Sequence, residues 1–359
     1  MGARRLWAIM LKELRQLRRD RLTFGMIVGI PALQLLLFGY AISLEVKQLD
    51  AALLDQAHSA QSRQAAEMVA HSQVLNFVRV IDSPAEVEPL LRRGEVSAVV
   101  VIPRDFERRM QSGQPALQIV VDGADPAVQA AARQLAALPL PGAREVAPAI
   151  EVVNFYNPER RAAVATVPGL IGVILTMTMI LFTAIAIVRE RERGNLEMVM
   201  TTPIRPMEFL LGKLSPYLVI GLIQVSLVLL LGVLVFGVPI RGALPHVYLA
   251  SLLFILANLA LGILISTVAR TQFQAMQMTM FLLLPSILLS GFAFPFAGMP
   301  RPAQWLAEAL PLTHFVRISR SLILRAADLG DMASELAVLG VMALVFLLLA
   351  LSRFHKRLD

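Results

Sequence analysis

The sequence predicts an all-α membrane domain of six spans, with an α/β domain inserted on the extracytoplasmic side between the first and second spans. Three observations predict it. Apolar residues make up 57% of the 359 and charged residues only 16%, against about 45–50% and about 25% in soluble domains. The charges cluster, leaving uncharged runs that reach the roughly 20 apolar residues a spanning helix needs. One long stretch, residues 45–161, instead alternates short β-like runs with polar helical ones, the pattern of a small α/β domain.

Taken in order, residues 1–21 predict an amphipathic helix lying in the cytoplasmic surface of the bilayer. Leu6, Met10, Leu14 and Leu17 fall on one stripe with Trp7 beside them, while Arg4, Arg5, Lys12, Arg15, Arg18, Arg19 and Arg21 occupy the other faces. An apolar stripe backed by basic residues suits a membrane interface. The alternative is a merely basic flank to the first span. Leu22–Leu44 is uncharged and forms that span, kinked at Pro31. It exceeds a signal-peptide core in length and is expected to be retained.

Within residues 45–161, Ala51–Leu54, Val74–Ile81, Ala98–Ile102 and Leu117–Val121 predict strands, being rich in β-branched residues. Ser62–Ala70, Pro84–Arg93, Arg104–Gln111 and Pro126–Leu138 predict helices. Pro139, Pro141, Gly142 and Pro148 then mark a linker. Residues 162–359 predict a five-span domain. Its spans are Ala162–Val188, Leu214–Ile240, Gly242–Ala269, Gln274–Phe294 and Leu336–Ser352, the fourth taken from the uncharged stretch Thr271–Pro300 that Pro285 and Pro295 interrupt. The segment 291–325 carries Pro295, Pro300, Pro302 and Pro311 together with Arg301, Arg317, Arg320 and Arg325. Arginine at mid-bilayer is costly, so a re-entrant or interfacial hairpin is expected there and not a further crossing.

An even number of spans puts both termini on one side. The basic N-terminal end, the loop 189–213, Arg270 and the tail residues Arg353, Lys356 and Arg357 then all face the cytoplasm, as the positive-inside rule requires. Residues 45–161 carry twelve basic and fifteen acidic residues, net −3, so the overall +7 belongs to membrane flanks and points to no nucleic-acid partner. Membrane lipid is the expected surface partner. The chain has no cysteine, which excludes disulfides and thiolate sites. Its five histidines show no metal-ligand spacing such as HExxH. Gln34, Gln224 and Asn258 are polar side chains inside spans, expected to bond between helices. The methionines at 177, 179, 276, 278 and 280 are expected to pack or face lipid, rather than to line a lipophilic path.

The segment Arg189 to Lys213 is the most informative. A charged helix can continue past the bilayer at Arg189. Pro203 biases Thr202 out of the helical region, and Pro206 suits the first turn of a new helix. Arg191-Glu-Arg-Gly-Asn-Leu-Glu197, Thr202-Pro-Ile-Arg-Pro206 and Leu211-Gly-Lys-Leu-Ser-Pro-Tyr217, with Phe155-Tyr-Asn-Pro158 and Val167-Pro-Gly169 upstream, together resemble permeases of the ABC-2 type. The resemblance covers essentially the whole chain. Asn195 departs from the threonine usual in that family, a difference bearing on local helix capping.

That resemblance implies a permease subunit of an ATP-binding-cassette exporter, moving a hydrophobic or amphiphilic substrate, drug or lipid-like, outward across a bacterial inner membrane. It implies an ATP-binding subunit and a second permease, identical or related, as partners, and leaves room for a periplasmic adaptor. It also implies a coupling helix that docks on the ATPase, carried here by Glu190, Arg191, Glu192, Arg193, Gly194, Leu196, Glu197, Thr202, Pro203, Arg205 and Pro206. No catalytic residue and no cofactor or metal site is expected in this chain. A phosphate-cradling loop needs Gly-x-x-x-x-Gly-Lys-Ser/Thr, whereas Gly212-Lys213 is followed by Leu214 and has Met207 where the first glycine belongs. ATP and Mg²⁺ would therefore bind the partner. The rival from another class is a membrane-anchored sensor with an extracytoplasmic ligand-binding domain. No cytoplasmic signalling domain supports it. An ion-coupled carrier is disfavoured by the lack of charge inside the spans, and an intramembrane enzyme by the lack of a nucleophile–base pair.

Overall fold

The computed structural model describes residues 49–136, 150–194 and 206–355. The interfacial helix expected over 1–21, the first span Leu22–Leu44 and the proline linker at 139–148 lie outside the described residues.

The first described unit is a five-stranded sheet in the order β2-β1-β3-β4-β5. Its strands are β1 (Leu49–Asp55), β2 (Leu75–Val80), β3 (Ala98–Ile102), β4 (Leu117–Asp122) and β5 (Ile150–Phe155). Between them run α1 (Ala60–His71), α2 (Val87–Arg93), α3 (Phe106–Ser112) and α4 (Pro126–Ala136). β1 pairs parallel with β2 and β3, and β4 with β5, while β3 and β4 run antiparallel. The central strand Ala98-Val-Val-Val-Ile102 is apolar at every position because both its faces are covered. Val100 and Ile102 pack with residues of α1, α3 and α4 on one side. Val99 packs with Val87, Leu90 and Leu91 of α2 on the other. Helix starts follow local chemistry: Ser59 caps α1 by accepting from the Ser62 N–H, and Ser62 returns the bond. Four strands lie where the sequence places them. β5 is an addition, since no strand is expected from the sequence over residues 150–155.

Among the described residues, five helices are long and apolar enough to cross a membrane. These are α5 (Ala162–Glu192), α6 (Pro206–Leu234), α7 (Leu244–Val268), α8 (Gln272–Leu289) and, after two short helices, α11 (Ala333–His355). They correspond to the five expected spans of residues 162–359, with shifted ends. Pro285 lies inside α8 without ending it, which corrects the interruption expected there. The Ser286 hydroxyl donates to the Leu282 carbonyl at 2.8 Å in that turn. α8 instead stops at Leu289, five residues before the expected boundary Phe294.

The five run alternately away from and towards the sheet. Arg161, just before α5, donates to the Gly237 carbonyl just after α6 at 3.2 Å. The opposite end of α5 meets the turn between α7 and α8. Four of the five share a core that includes Ile171 and Leu175 of α5, Val225 of α6, Phe254 of α7 and Leu339 of α11, while Ala275 of α8 packs against Ala184 and Val188 of α5. Gln224 is joined to α5, its Oε1 accepting from Thr178 at 2.9 Å, as expected of an interhelical bond. Asn258 departs from that expectation: it donates to Phe254 of its own helix.

Residues 291–325 form a 3₁₀ turn (Phe296–Gly298), α9 (Arg301–Glu308) and α10 (Pro311–Leu324). α10 has 14 residues, all buried except Arg317. At 1.5 Å per residue it is about 21 Å long, short of a 30 Å hydrocarbon core. It packs against α5, α7 and α11, with Phe315 stacked on Phe254 at 4.2 Å between ring centroids.

Candidate functional site

α5 is unusual in carrying its helix through Arg189, Glu190, Arg191 and Glu192, well past its last apolar residue Val188. The helix is 31 residues long, about 46 Å, so its charged end stands far from the sheet. It ends because Gly194 takes φ +71°, a left-handed conformation that glycine adopts without penalty. The Gly194 N–H donates to the Arg191 carbonyl at 3.1 Å.

Arg191 and Glu192 at this end are bound within the chain. Arg191 donates from Nη1 to the carbonyl oxygens of Ser266 and Ala269, each at 2.9 Å. Glu192 accepts from the Gln272 backbone N–H at 2.9 Å and from its side-chain amide at 2.5 Å. Of the coupling set, then, Glu190, Arg191, Glu192, Arg193 and Gly194 lie together at the α5 terminus, and Pro206 opens α6 as its first residue. Leu196, Glu197, Thr202, Pro203 and Arg205 lie outside the described residues. Among the described residues no group of three or more His, Asp or Glu is placed to hold a metal ion.

A second cluster lies at the opposite end, beneath the sheet. Arg325, next after α10, pairs with Asp122 at the end of β4, and Arg320 pairs with Asp125 at 3.4 Å. Arg92 and Arg93 of α2 approach Asp331 at 3.7 and 3.4 Å. Asp122 is 2% exposed, so its charge depends on its partner. Tyr156 is buried close by, and its phenol is pushed up to about 12, first by burial and then by the Asp122 carboxylate.

His314 and Arg317 of α10 complete the cluster. Both imidazole nitrogens face acceptors: Nδ1 the Glu335 carboxylate at 2.5 Å, and Nε2 the Glu308 carbonyl at 2.9 Å. Burial alone would lower the pKa of His314, but the bonds to Glu335 and Glu308 outweigh it and hold the ring above its ordinary value. In its protonated form the ring donates from both nitrogens. Arg317 donates to Glu308 at 2.6 Å and Glu335 at 3.2 Å. A cavity of about 640 Å³ opens beside these groups, lined among others by Arg93, Asp125, Arg320, Asp331 and Glu335. Sequence reasoning treated the arginines of this segment only as a topological oddity. The signal was present in the spacing of His314, Arg317, Ser321 and Arg325, which fall on one stripe running along α10 to the residue that follows it.

A bundle of antiparallel apolar helices with a hydrophilic helix end on one side and a sheet on the other defines a polytopic membrane protein. The chain belongs to the ABC-2 transporter family: the family described as "ABC-2 family transporter protein" matches residues 21–352. It is 31% identical over 370 residues to the "Probable multidrug ABC transporter permease YbhS" of Escherichia coli K12, covering 99% of this chain and 98% of that one. It is 30% identical over 339 residues to "Probable multidrug ABC transporter permease YbhR" of the same organism, covering 90% and 91%. A shorter match, 35% over 193 residues, joins it to "Inner membrane transport permease YhhJ", also of Escherichia coli K12, over 52% of this chain and 51% of the relative.

Proposed function

We propose that this chain is the permease subunit of an ATP-binding-cassette exporter, carrying a hydrophobic or amphiphilic compound outward and driven by a separate ATPase. The observation that carries this is the charged terminus of α5. An apolar helix of a transport permease projects Arg189–Glu192 beyond its spanning part and closes on Gly194, leaving a hydrated end beside the segment that leads to α6. Such an end suits a protein contact on the cytoplasmic side. The other end of the bundle, with the sheet, then lies outside the cell.

In this proposal the first span Leu22–Leu44 joins the five described helices to make six, both termini are cytoplasmic, and the membrane is the bacterial inner membrane. Two permeases, identical or related, work with two ATPase subunits that bind ATP and Mg²⁺. ATP-driven closure of the ATPases moves the coupling segments and opens a path between the permeases. The names of the relatives support a multidrug or similar lipophilic cargo.

The test is reconstitution in inside-out vesicles with the cognate ATPase, using ethidium as the cargo probe. ATP-dependent ethidium accumulation that needs both proteins is expected, as is co-purification of the ATPase. Glu197→Arg should weaken both, because like charge across an interface is unfavourable, while Glu86→Arg in the sheet unit should weaken neither. Specific ATP hydrolysis by the permease alone, or failure of any ATPase to assemble with it, would overturn the proposal.

A further inference from the structure

The contacts of Arg191 and Glu192 fall on two helix ends. Ser266 belongs to the last turn of α7 and Ala269 follows that helix, where carbonyls lack an N–H from their own helix. Gln272 is the first residue of α8, where N–H groups lack a carbonyl for the same reason. The cation thus sits at the negative end of the α7 dipole, and the anion at the positive end of the α8 dipole. Bonds of this kind, with one ionised partner, are roughly twice as strong as neutral ones.

The turn they grip is itself closed. The Thr271 hydroxyl accepts from the Gln274 N–H at 3.2 Å, and the Gln274 side chain accepts from the Arg270 N–H at 2.9 Å. Pulling on Ser266, Ala269 or Gln272 therefore moves the turn as one piece. From α7 the packing continues to α10 through the stacked Phe254 and Phe315. α10 in turn reaches the sheet through Arg320 and Asp125.

We propose that Arg191 and Glu192 are positioning residues that fasten the coupling end of α5 to the α7–α8 turn, so that motion imposed by the ATPase enters α7 and α8 together with α5. The inference rests on the proposed role of residues 189–206 in coupling. It changes the part these two residues play: they face their own chain and distribute movement, and contact with the ATPase falls to the rest of the segment.

The experiment uses the full chain in complex with its cognate ATPase in lipid nanodiscs. A bimane fluorophore is placed on Gly330→Cys, the single cysteine of a chain that otherwise has none. Gly330 lines the cavity and has open space where a side chain would stand. Trapping the ATPase with ATP and vanadate should change bimane emission in the otherwise wild-type chain. Arg191→Gln and Glu192→Ala should reduce the trapped population seen by bimane about tenfold relative to the ATP hydrolysis each complex retains, within the usual range of coupling energies. Glu192 is exposed, so its truncation empties no core and keeps the test open if Arg191→Gln folds poorly. Arg191→Lys, which can still donate to two carbonyls, should recover the signal.

An unchanged bimane response in a folded, hydrolysing Glu192→Ala complex overturns the inference and leaves the exporter proposal standing. So does failure of a folded Arg191→Lys complex to recover, or the lack of any nucleotide response with wild-type Arg191 and Glu192. If no ATPase assembles with the unmodified chain, the exporter proposal itself falls and takes the inference with it.

Discussion

His314 shows how much a single buried side chain depends on its neighbours. Glu308 faces it from α9, Glu335 from α11 and Arg317 from its own helix. Its pKa is raised in the folded chain by the bonds to Glu335 and Glu308, against the opposing effect of burial. A raised folded value means the contribution to stability is fully present below the unfolded value, about 6.5, and is lost as pH rises through the higher folded value. His314→Gln should therefore lower Tm most below about pH 6.5, with the gap to the wild type narrowing as pH rises above it. Thermal unfolding in detergent at a series of pH values measures it; a gap independent of pH would show that folding leaves the pKa of the ring unchanged, and a gap that widens with pH would show that folding lowers it. None of these partners could be named from sequence. Glu308 and Glu335 stand 6 and 21 positions from His314, and only the packing of three helices brings them together.

Helix packing has its own tight point at Gly262 of α7. A Cβ there would stand 2.8 Å from the Thr183 Cβ and 2.9 Å from the Ile180 carbonyl oxygen of α5. Backbone cannot step aside as a side-chain tip can, so Gly262→Ala should force α5 and α7 apart at a cost of about 1–3 kcal/mol. Denaturant titration in micelles measures this, and a change of less than about 0.5 kcal/mol would show that the crossing is slack. The elements themselves were legible to different degrees. Ala162–Val188 announces a helix by an unbroken apolar run, and α5 contains all of it. β5 does not announce itself, because Ile150–Phe155 gains its strand character from pairing with β4, thirty-odd residues earlier in the chain. α10 was legible as a segment unable to span, through its prolines and arginines. Its near-complete burial was not, because that comes from α5, α7 and α11 closing around it.

At the scale of the whole molecule, alternating helix direction separates the sheet from the α5 terminus by the length of the bundle. The motifs of residues 189–206 were legible in the sequence, but the inward attachment of Arg191 and Glu192 was not. Their partners at 266, 269 and 272 lie 75 to 80 residues further along the chain, at the end of α7 and the start of α8. If the sheet is outside the cell, Ser112 of α3 and Ser352 of α11 lie on opposite sides of the membrane. Cysteine substitutions at these two positions report this directly in a chain lacking cysteine. In intact cells with a permeable outer membrane, Ser112→Cys should react with an impermeant thiol reagent and Ser352→Cys should not. The reverse pattern would invert the molecule and turn the α5 terminus away from any cytoplasmic ATPase.

Pro168 sits at the seventh position of α5, near the end closest to the sheet. Proline removes the hydrogen bond to the carbonyl four residues earlier, here that of Val164, and so weakens the helix at one point. Beyond it runs an uninterrupted arm from Gly169 to Glu192, about 36 Å long at 1.5 Å per residue. An arm of that length on a soft pivot gears small angles into useful travel. A swing of about 5° at Pro168 carries Arg191 and Glu192 about 3 Å, while the short piece above the pivot hardly moves. In the proposed coupling, α5 would serve as a lever, with its fulcrum under the sheet and its long arm ending where the chain grips the α7–α8 turn.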